Sequence, residues 1–352
     1  LTKDPRYVEF IMALLNFYGA IQQVTGSCYL IESRDGSRVL LECGMRQGRR
    51  DAEEGNRAPF PFDPNSLNAV VISHAHLDHS GLLPRLAAAG YRGPIFATVA
   101  TCELLELMLL DSAHIQEHDA EWENKWRLRQ GKPAIAPIYT TAETEQALKL
   151  RRALDYGVQQ EVAPGVRLTY HDAGHILGAA IVELEVDDHH LTRRLVFSGD
   201  LGMPARPVLR DPQPIGSADV LLVESTYGNR LHKSLEATED ELVEAIERTL
   251  HRKHGNVVMP AFSVGRTQEV IFVLADLVRR GRLKDLQVVV DSPMSMAATE
   301  ITLRHASLLD EHTRELIEWQ RSRPEGLKVR FVQDVEESIA LNQVRGGLVI
   351  IS

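Results

Sequence analysis

The chain has 352 residues, 44% of them hydrophobic and 25% charged, an ordinary globular composition that argues against disorder and is long enough for two domains. A formal net charge of −10 excludes a protein that coats nucleic acid through a broad basic surface, so any polyanion has to be held locally. Three cysteines with no C-x-x-C pair support neither a disulfide framework nor a thiolate zinc knuckle and fit a reducing cytoplasm; no run approaches the roughly 18 apolar residues of a membrane span.

In chain order, Lys3 and Arg6 precede the apolar run Phe10-Ile11-Met12-Ala13-Leu14-Leu15, which imitates a secretion signal. Asn16 interrupts the run and no small-residue cleavage site follows, so the signal reading fails. Residues 1–11 read instead as a non-native leader, with Met12 the native start. Apolar alternation and turn signals predict strands over 27–32, 38–42, 69–73, 95–97, 166–170, 180–186, 195–198 and 220–223. Helical spacing predicts helices over 82–89 and 101–119. Trp122 and Trp126, four residues apart, more simply mean packing against a neighbour than a base-stacking platform.

After Tyr227 strand and helix alternate. Helices are predicted over 237–252, 267–280, 296–309 and 313–320, and strands over 256–259 and 286–290. The closing run Gly347-Leu348-Val349-Ile350-Ile351-Ser352 has a buried-strand pattern. This βαβ order predicts a parallel sheet and a domain boundary near Gly228, giving domains 12–228 and 229–352.

The densest chemistry lies in Ser73-His74-Ala75-His76-Leu77-Asp78-His79, directly after the strand-like Ala69-Val70-Val71-Ile72. Three imidazoles and a carboxylate in six positions are ligands for a zinc-like ion, and no packing rule asks for such a cluster. A two-metal site needs more ligands than one turn offers. Two later segments supply them: His175, between Gly174 and Gly178, and Asp200, between Gly199 and Gly202 at the end of an apolar strand.

The order of strand, H-x-H-x-D-H, glycine-flanked His and S-G-D resembles the metallo-β-lactamase superfamily. The resemblance implies an α/β fold, an αββα sandwich with a dinuclear zinc site. It implies that His74, His76 and His175 hold one Zn²⁺, that Asp78 and His79 hold the second, and that Asp200 bridges them. Glu42, in Val39-Leu40-Leu41-Glu42-Cys43-Gly44, stands where the family usually has Asp, and its expected role is to orient the histidines. Further on, Glu224-Ser225-Thr226-Tyr227-Gly228, Pro260-Ala261-Phe262-Ser263-Val264-Gly265-Arg266-Thr267-Gln268-Glu269 and Asp291-Ser292-Pro293-Met294 are similar to the β-CASP nucleases. In that branch Glu224 corresponds to an acidic residue beside the metals. The second domain is then a β-CASP insertion of parallel-sheet type, expected to be incomplete at its C-terminus, where family members carry two more histidines. The second zinc site is expected to be incomplete with it.

The implied activity is a zinc-dependent ribonuclease, an endonuclease acting on single-stranded RNA through a dizinc-activated hydroxide, with Asp78, Glu224 and Glu42 as catalytic residues. Ser263 and Arg266, in a glycine-containing loop that feeds a helix, are candidates for binding a phosphate; the competing reading of Arg266 is a structural salt bridge. Arg46, Arg49 and Arg50 are weaker candidates for strand contact, and His114, His118, His189, His190 and His305 show no ligand pattern. Two alternatives stand beside the nuclease. One is a hydrolase of small esters, thioesters or lactones; the other is a non-catalytic RNA-processing scaffold. A homo-oligomer is left open.

Overall fold

The computed structural model describes residues 13–48, 50–188, 191–323 and 326–352. Residues 1–12, which include the expected leader, and Arg49, His189, His190, Pro324 and Glu325 lie outside the described residues, and of Arg50 only the backbone is described. Contacts divide the chain into two compact units. One holds residues up to His171 with Ala180–Gly199 and Pro214–Val223; the other holds Asp172–Ala179, Asp200–Gln213 and Glu224–Ser352.

In the first unit a six-stranded sheet runs in sequence order: β1 (Leu14–Phe17), β2 (Tyr29–Glu32), β3 (Arg38–Leu41), β4 (Ala69–Val71), β5 (Ile95–Thr98) and β6 (Arg151–Leu154). Pairing is antiparallel from β1 to β3 and parallel from β3 to β6. A five-stranded sheet has the order β11 (Val220–Leu222), β10 (Leu191–Phe197), β9 (Ala180–Asp188), β8 (Val166–Asp172), β7 (Gln160–Ala163). Inward residues of both sheets form one core, with Ile31, Val39, Leu41 and Val71 against Leu168, Tyr170, Val182, Leu184 and Phe197. The Tyr170 hydroxyl crosses between the sheets to donate to the Phe96 carbonyl at 2.9 Å.

The other face of β4 is buried too, so Val70, Val71 and Ile72 are fully enclosed, as a central parallel strand requires. Helices α3 (Leu83–Ala88), α4 (Val99–Arg129) and α5 (Thr141–Leu148) follow α1 (Arg50–Arg57) and α2 (Leu77–Ser80) in the chain; α4 packs on β5 and β6. On the second sheet the outward positions are charged and paired: Arg167 with Glu185 at 3.2 Å and Asp187 at 2.8 Å, Arg194 with Glu183 at 3.1 Å. The result is the layered α/β sandwich that the motifs imply.

Helix α4 departs from expectation. It runs ten residues beyond the predicted end, and after Ala120 none of its residues is buried. Trp122 is 61% exposed and Trp126 54%, so they do not pack against a neighbour, and the expectation that they would is corrected.

In the second unit β12 (Val257–Met259), β15 (Leu348–Ile351), β13 (Gln287–Val290) and β14 (Lys328–Phe331) pair in that order, all parallel. This confirms the βαβ reading. Helices α6 (Leu235–Glu247), α7 (Arg266–Arg279), α8 (Pro293–Arg304), α9 (Glu311–Ser322) and α10 (Val335–Leu341) alternate with them. The starts of α6, α8, α9 and α10 are fixed by side-chain caps from Ser234, Ser292, Asp310 and Asp334, whose oxygens accept backbone N–H groups of the first turn. The helix predicted over 237–252 closes in a π turn at Arg248–Arg252.

The turn carrying His76 to His79 is clamped by main-chain bonds. Ser27 N–H donates to the Asp78 carbonyl at 2.9 Å, Cys43 N–H to that of His79 at 2.8 Å, and Met45 N–H to that of Leu77 at 2.8 Å. Only glycine fits at position 44, where a Cβ would sit 1.8 Å from the Asp78 carbonyl oxygen and 2.7 Å from the Ser27 nitrogen, both backbone atoms. Gly44→Ala is therefore expected to destabilise the protein by about 2–3 kcal/mol or more. Thermal unfolding followed by circular dichroism checks this, and an unchanged midpoint would contradict it.

Candidate metal centre

In the first unit Glu42 follows directly on β3, and β4 leads through Ile72 into Ser73 and His74. All three are completely buried. Glu42 takes a left-handed backbone, φ 64°, which costs a non-glycine residue about 1–2 kcal/mol. Its N–H donates to the Val71 carbonyl at 3.0 Å, and the unusual backbone turns the carboxylate inward. There Oε1 accepts the Ser73 N–H at 2.6 Å and Oε2 lies 2.8 Å from His79 Nδ1. Burial pushes the Glu42 carboxyl above the usual carboxylate range, and the bonds from His79 and Ser73 pull against that. The methylene that distinguishes Glu from Asp does not prevent contact with the histidine turn.

With Nδ1 engaged by Glu42, His79 presents Nε2 on the side of Asp78, whose Oδ2 is 3.7 Å away. His74 Nδ1 is engaged by Ser73 Oγ at 2.9 Å, and its Nε2 faces His76 Nδ1 at 3.1 Å. Two nitrogens on one tetrahedral zinc stand about 3.3–3.4 Å apart, given Zn–N bonds of 2.0–2.1 Å. The separation of His74 and His76 is close to that. Ligand atoms of Glu42, His74 and His79 also fall within 4.8 Å of one another. The donor set, imidazole and carboxylate with histidines oriented through their other nitrogens, fits a divalent metal. No cysteine belongs to either group among the described residues, and burial pushes the Cys28 thiol up to about 12 and the Cys43 thiol well above its ordinary value.

In the second unit His175 sits in a tight loop closed by Ala173 N–H on the Ala179 carbonyl at 3.1 Å. His175 Nε2 is 3.5 Å from Asp200 Oδ2, again near the spacing of two ligands on one ion. Glu224 Oε1 accepts the N–H of Leu201 at 2.8 Å and so holds the residue next to Asp200. Ser263 Oγ lies 3.1 Å from Ser292 Oγ. Arg266 is half exposed and pairs with Glu269 on its own helix, while Glu269 also takes Arg206 at 3.2 Å.

Sequence reasoning missed Ser73 as a partner of His74 and Glu224 as a support for the Asp200 loop. A serine before a histidine carries no signal of its own, and the backbone N–H that Glu224 accepts is invisible in sequence. Arg46, the one fully described arginine of its cluster, has its backbone N–H and carbonyl tied to the Asn56 side chain at 2.8 Å each.

Comparison with known proteins agrees with this geometry. Residues 22–93 match the Metallo-beta-lactamase superfamily, and residues 267–352 match the Beta-Casp domain. Ribonuclease TTHA0252 of Thermus thermophilus is 36% identical over 337 residues, 95% of this chain and 71% of that one. Transcription termination factor FttA of Methanothermobacter thermautotrophicus is 34% identical over 323 residues, 90% of this chain and 47% of that one. An RNase J-like protein of Methanocaldococcus jannaschii is 28% identical over 335 residues, 94% of this chain and 69% of that one. The chain thus spans about half the length of the FttA protein and about 70% of the other two. A histidine turn oriented by a buried carboxylate, followed by a parallel-sheet domain and matched along 95% of the chain, places this protein in the β-CASP branch of the metallo-β-lactamase superfamily.

Proposed function

We propose that the protein is a zinc-dependent ribonuclease that hydrolyses phosphodiester bonds of single-stranded RNA, cutting internally. The observation that carries the chemistry is the spacing of ligand atoms, 3.1 Å between His74 and His76 and 3.5 Å between His175 and Asp200. The substrate class is supported by the likeness to a protein named a ribonuclease and to one named RNase J-like.

In this reading His74, His76 and His175 hold one Zn²⁺, Asp78 and His79 the other, and Asp200 both. When bound, zinc lowers the pKa of a water to about 7 and stabilises charge on phosphate oxygens. Glu42 keeps the proton of His79 on Nδ1, so that the Nε2 lone pair is available as a ligand. Ser73 does the same for His74. Glu224 fixes the Asp200 loop through Leu201 and stands as the acidic group for proton transfer. Ser263 and Arg266 are proposed to contact a phosphate, with Arg266 shared between that role and Glu269. Residues 12–228 are proposed as the catalytic domain and 229–352 as the β-CASP domain. Cys28, Cys43 and Cys102 are free thiols, which supports a reducing cytoplasmic setting. Among the described residues no helix is long and apolar enough to cross a membrane.

Asp78→Ala is expected to lower cleavage of a labelled single-stranded RNA by more than about 100-fold with an unchanged thermal transition. EDTA is expected to abolish cleavage and added zinc to restore it. Full turnover in either case contradicts the mechanism, and turnover of small esters without RNA cleavage would assign the site to another substrate class.

Glu42→Gln preserves the shape of the side chain and removes its charge. It is expected to weaken zinc affinity by about 10–100-fold, measured by competition with a chromophoric chelator, because His79 loses its anionic partner. Unaltered affinity would mean that Glu42 does not orient the ligand.

A further inference from the structure

The exposed end of α4 carries two tryptophans that neither the core nor the metal centre uses. Taking 100° per residue, Ile115, Trp122, Lys125, Trp126 and Arg129 fall within about 60° of Trp122 on a single face. The two indoles are one turn apart, about 6 Å along the axis. Ile115 is 52% exposed beside them. Asp119, on the edge of this face, lies 3.9 Å from His118.

The opposite face of the same turns is occupied. Asn124 exchanges two 2.8 Å hydrogen bonds with the Ile135 backbone, and Arg127 donates to the Pro133 carbonyl at 2.7 Å and pairs with Glu123 at 3.3 Å. The chain that returns from the helix is therefore bound along one side, which braces the projecting turns and leaves the tryptophans bare. Lys125 and Arg129 have no ion-pair partner among the described residues. In a chain of net charge −10, two cations without ion-pair partners flank two exposed indoles, the pairing of charge and ring that suits a polyanion with bases.

We infer that the projecting end of α4 is a binding surface for single-stranded RNA, on which Trp122 and Trp126 stack nucleobases while Lys125 and Arg129 contact phosphates. This rests on the RNA reading of the metal centre and adds to it an anchoring surface outside the ligand set. Stacking on aromatic rings tolerates any base, so the surface gives affinity without sequence preference. The cations fix the backbone beside the rings and make binding depend on salt. An acidic protein can hold RNA in this way because only a local pair of cations beside the rings is needed.

The test uses the full chain and a fluorescein-labelled 20-nucleotide oligouridylate, with binding followed by anisotropy in EDTA and cleavage measured separately in zinc. Trp122→Ala/Trp126→Ala is expected to weaken binding by about 30-fold or more, and Trp122→Phe/Trp126→Phe to recover part of it. Lys125→Gln/Arg129→Gln is expected to reduce the slope of log affinity against log salt by about 1.4, the value for two lost phosphate contacts on a single strand. All four substituted side chains are exposed, so circular dichroism is expected to report unchanged folding. If the wild type cleaves RNA and the Trp-to-Ala variant binds oligouridylate as tightly as wild type, the inference falls and the metal-centre reading stands. Should that variant also convert a wild-type dimer to a monomer in sedimentation equilibrium, with oligouridylate affinity unchanged, the face belongs to a second copy of the chain. A wild type that neither binds nor cleaves overturns both readings.

Discussion

The buried carboxylate of Glu42 is the interaction on which the proposed metal centre depends. It has no exposed surface, sits on a left-handed backbone and joins two pieces of chain, the Ser73 N–H at the end of β4 and the imidazole of His79 one turn later. A buried carboxylate without partners would cost several kcal/mol, so these bonds are a condition of its burial. The same bonds decide which nitrogen of His79 carries a proton. The fold thereby turns a histidine-rich loop into a set of oriented imidazoles that could hold a metal. Around it, main-chain bonds from Ser27, Cys43 and Met45 hold the loop in place. The approach that permits those bonds leaves no room for a side chain at position 44.

The second unit repeats the logic with different parts. His175 and Asp200 come from two loops, and Glu224 steadies one of them through a backbone N–H rather than through the ligand itself. In both units the proposed ligands are thus supported by groups that need not touch a metal. Such support keeps the geometry when charge develops in the reaction, and its loss weakens metal binding even when every ligand remains.

Much of this was legible in the sequence. The histidine cluster, its place after a buried strand, and the parallel sheet of the second unit follow from residue type and periodicity. The strands that went unseen are β1, β6, β7 and β14, and each lies at the edge of its sheet. An edge strand such as Arg151–Leu154 or Lys328–Phe331 buries few residues, so it carries little hydrophobic alternation. The length of α4 was underestimated for a related reason. Its final turns are held by Asn124 and Arg127 on the returning chain, a tertiary contact without periodic signature. The same contact explains why Trp122 and Trp126, spaced as if to pack, are exposed. The left-handed turn at Glu42 was equally hidden, because nothing in the residue type announces it.

Glu42 is proposed to commit Nδ1 of His79 and to leave Nε2 for the metal. Zinc-edge anomalous diffraction from crystals of the full chain grown with zinc measures it directly. The account predicts an anomalous peak 2.0–2.1 Å from His79 Nε2, with Glu42 still bonded to Nδ1. A peak on Nδ1 with Glu42 displaced, or no zinc at His79 in a chain that cleaves RNA, would contradict it.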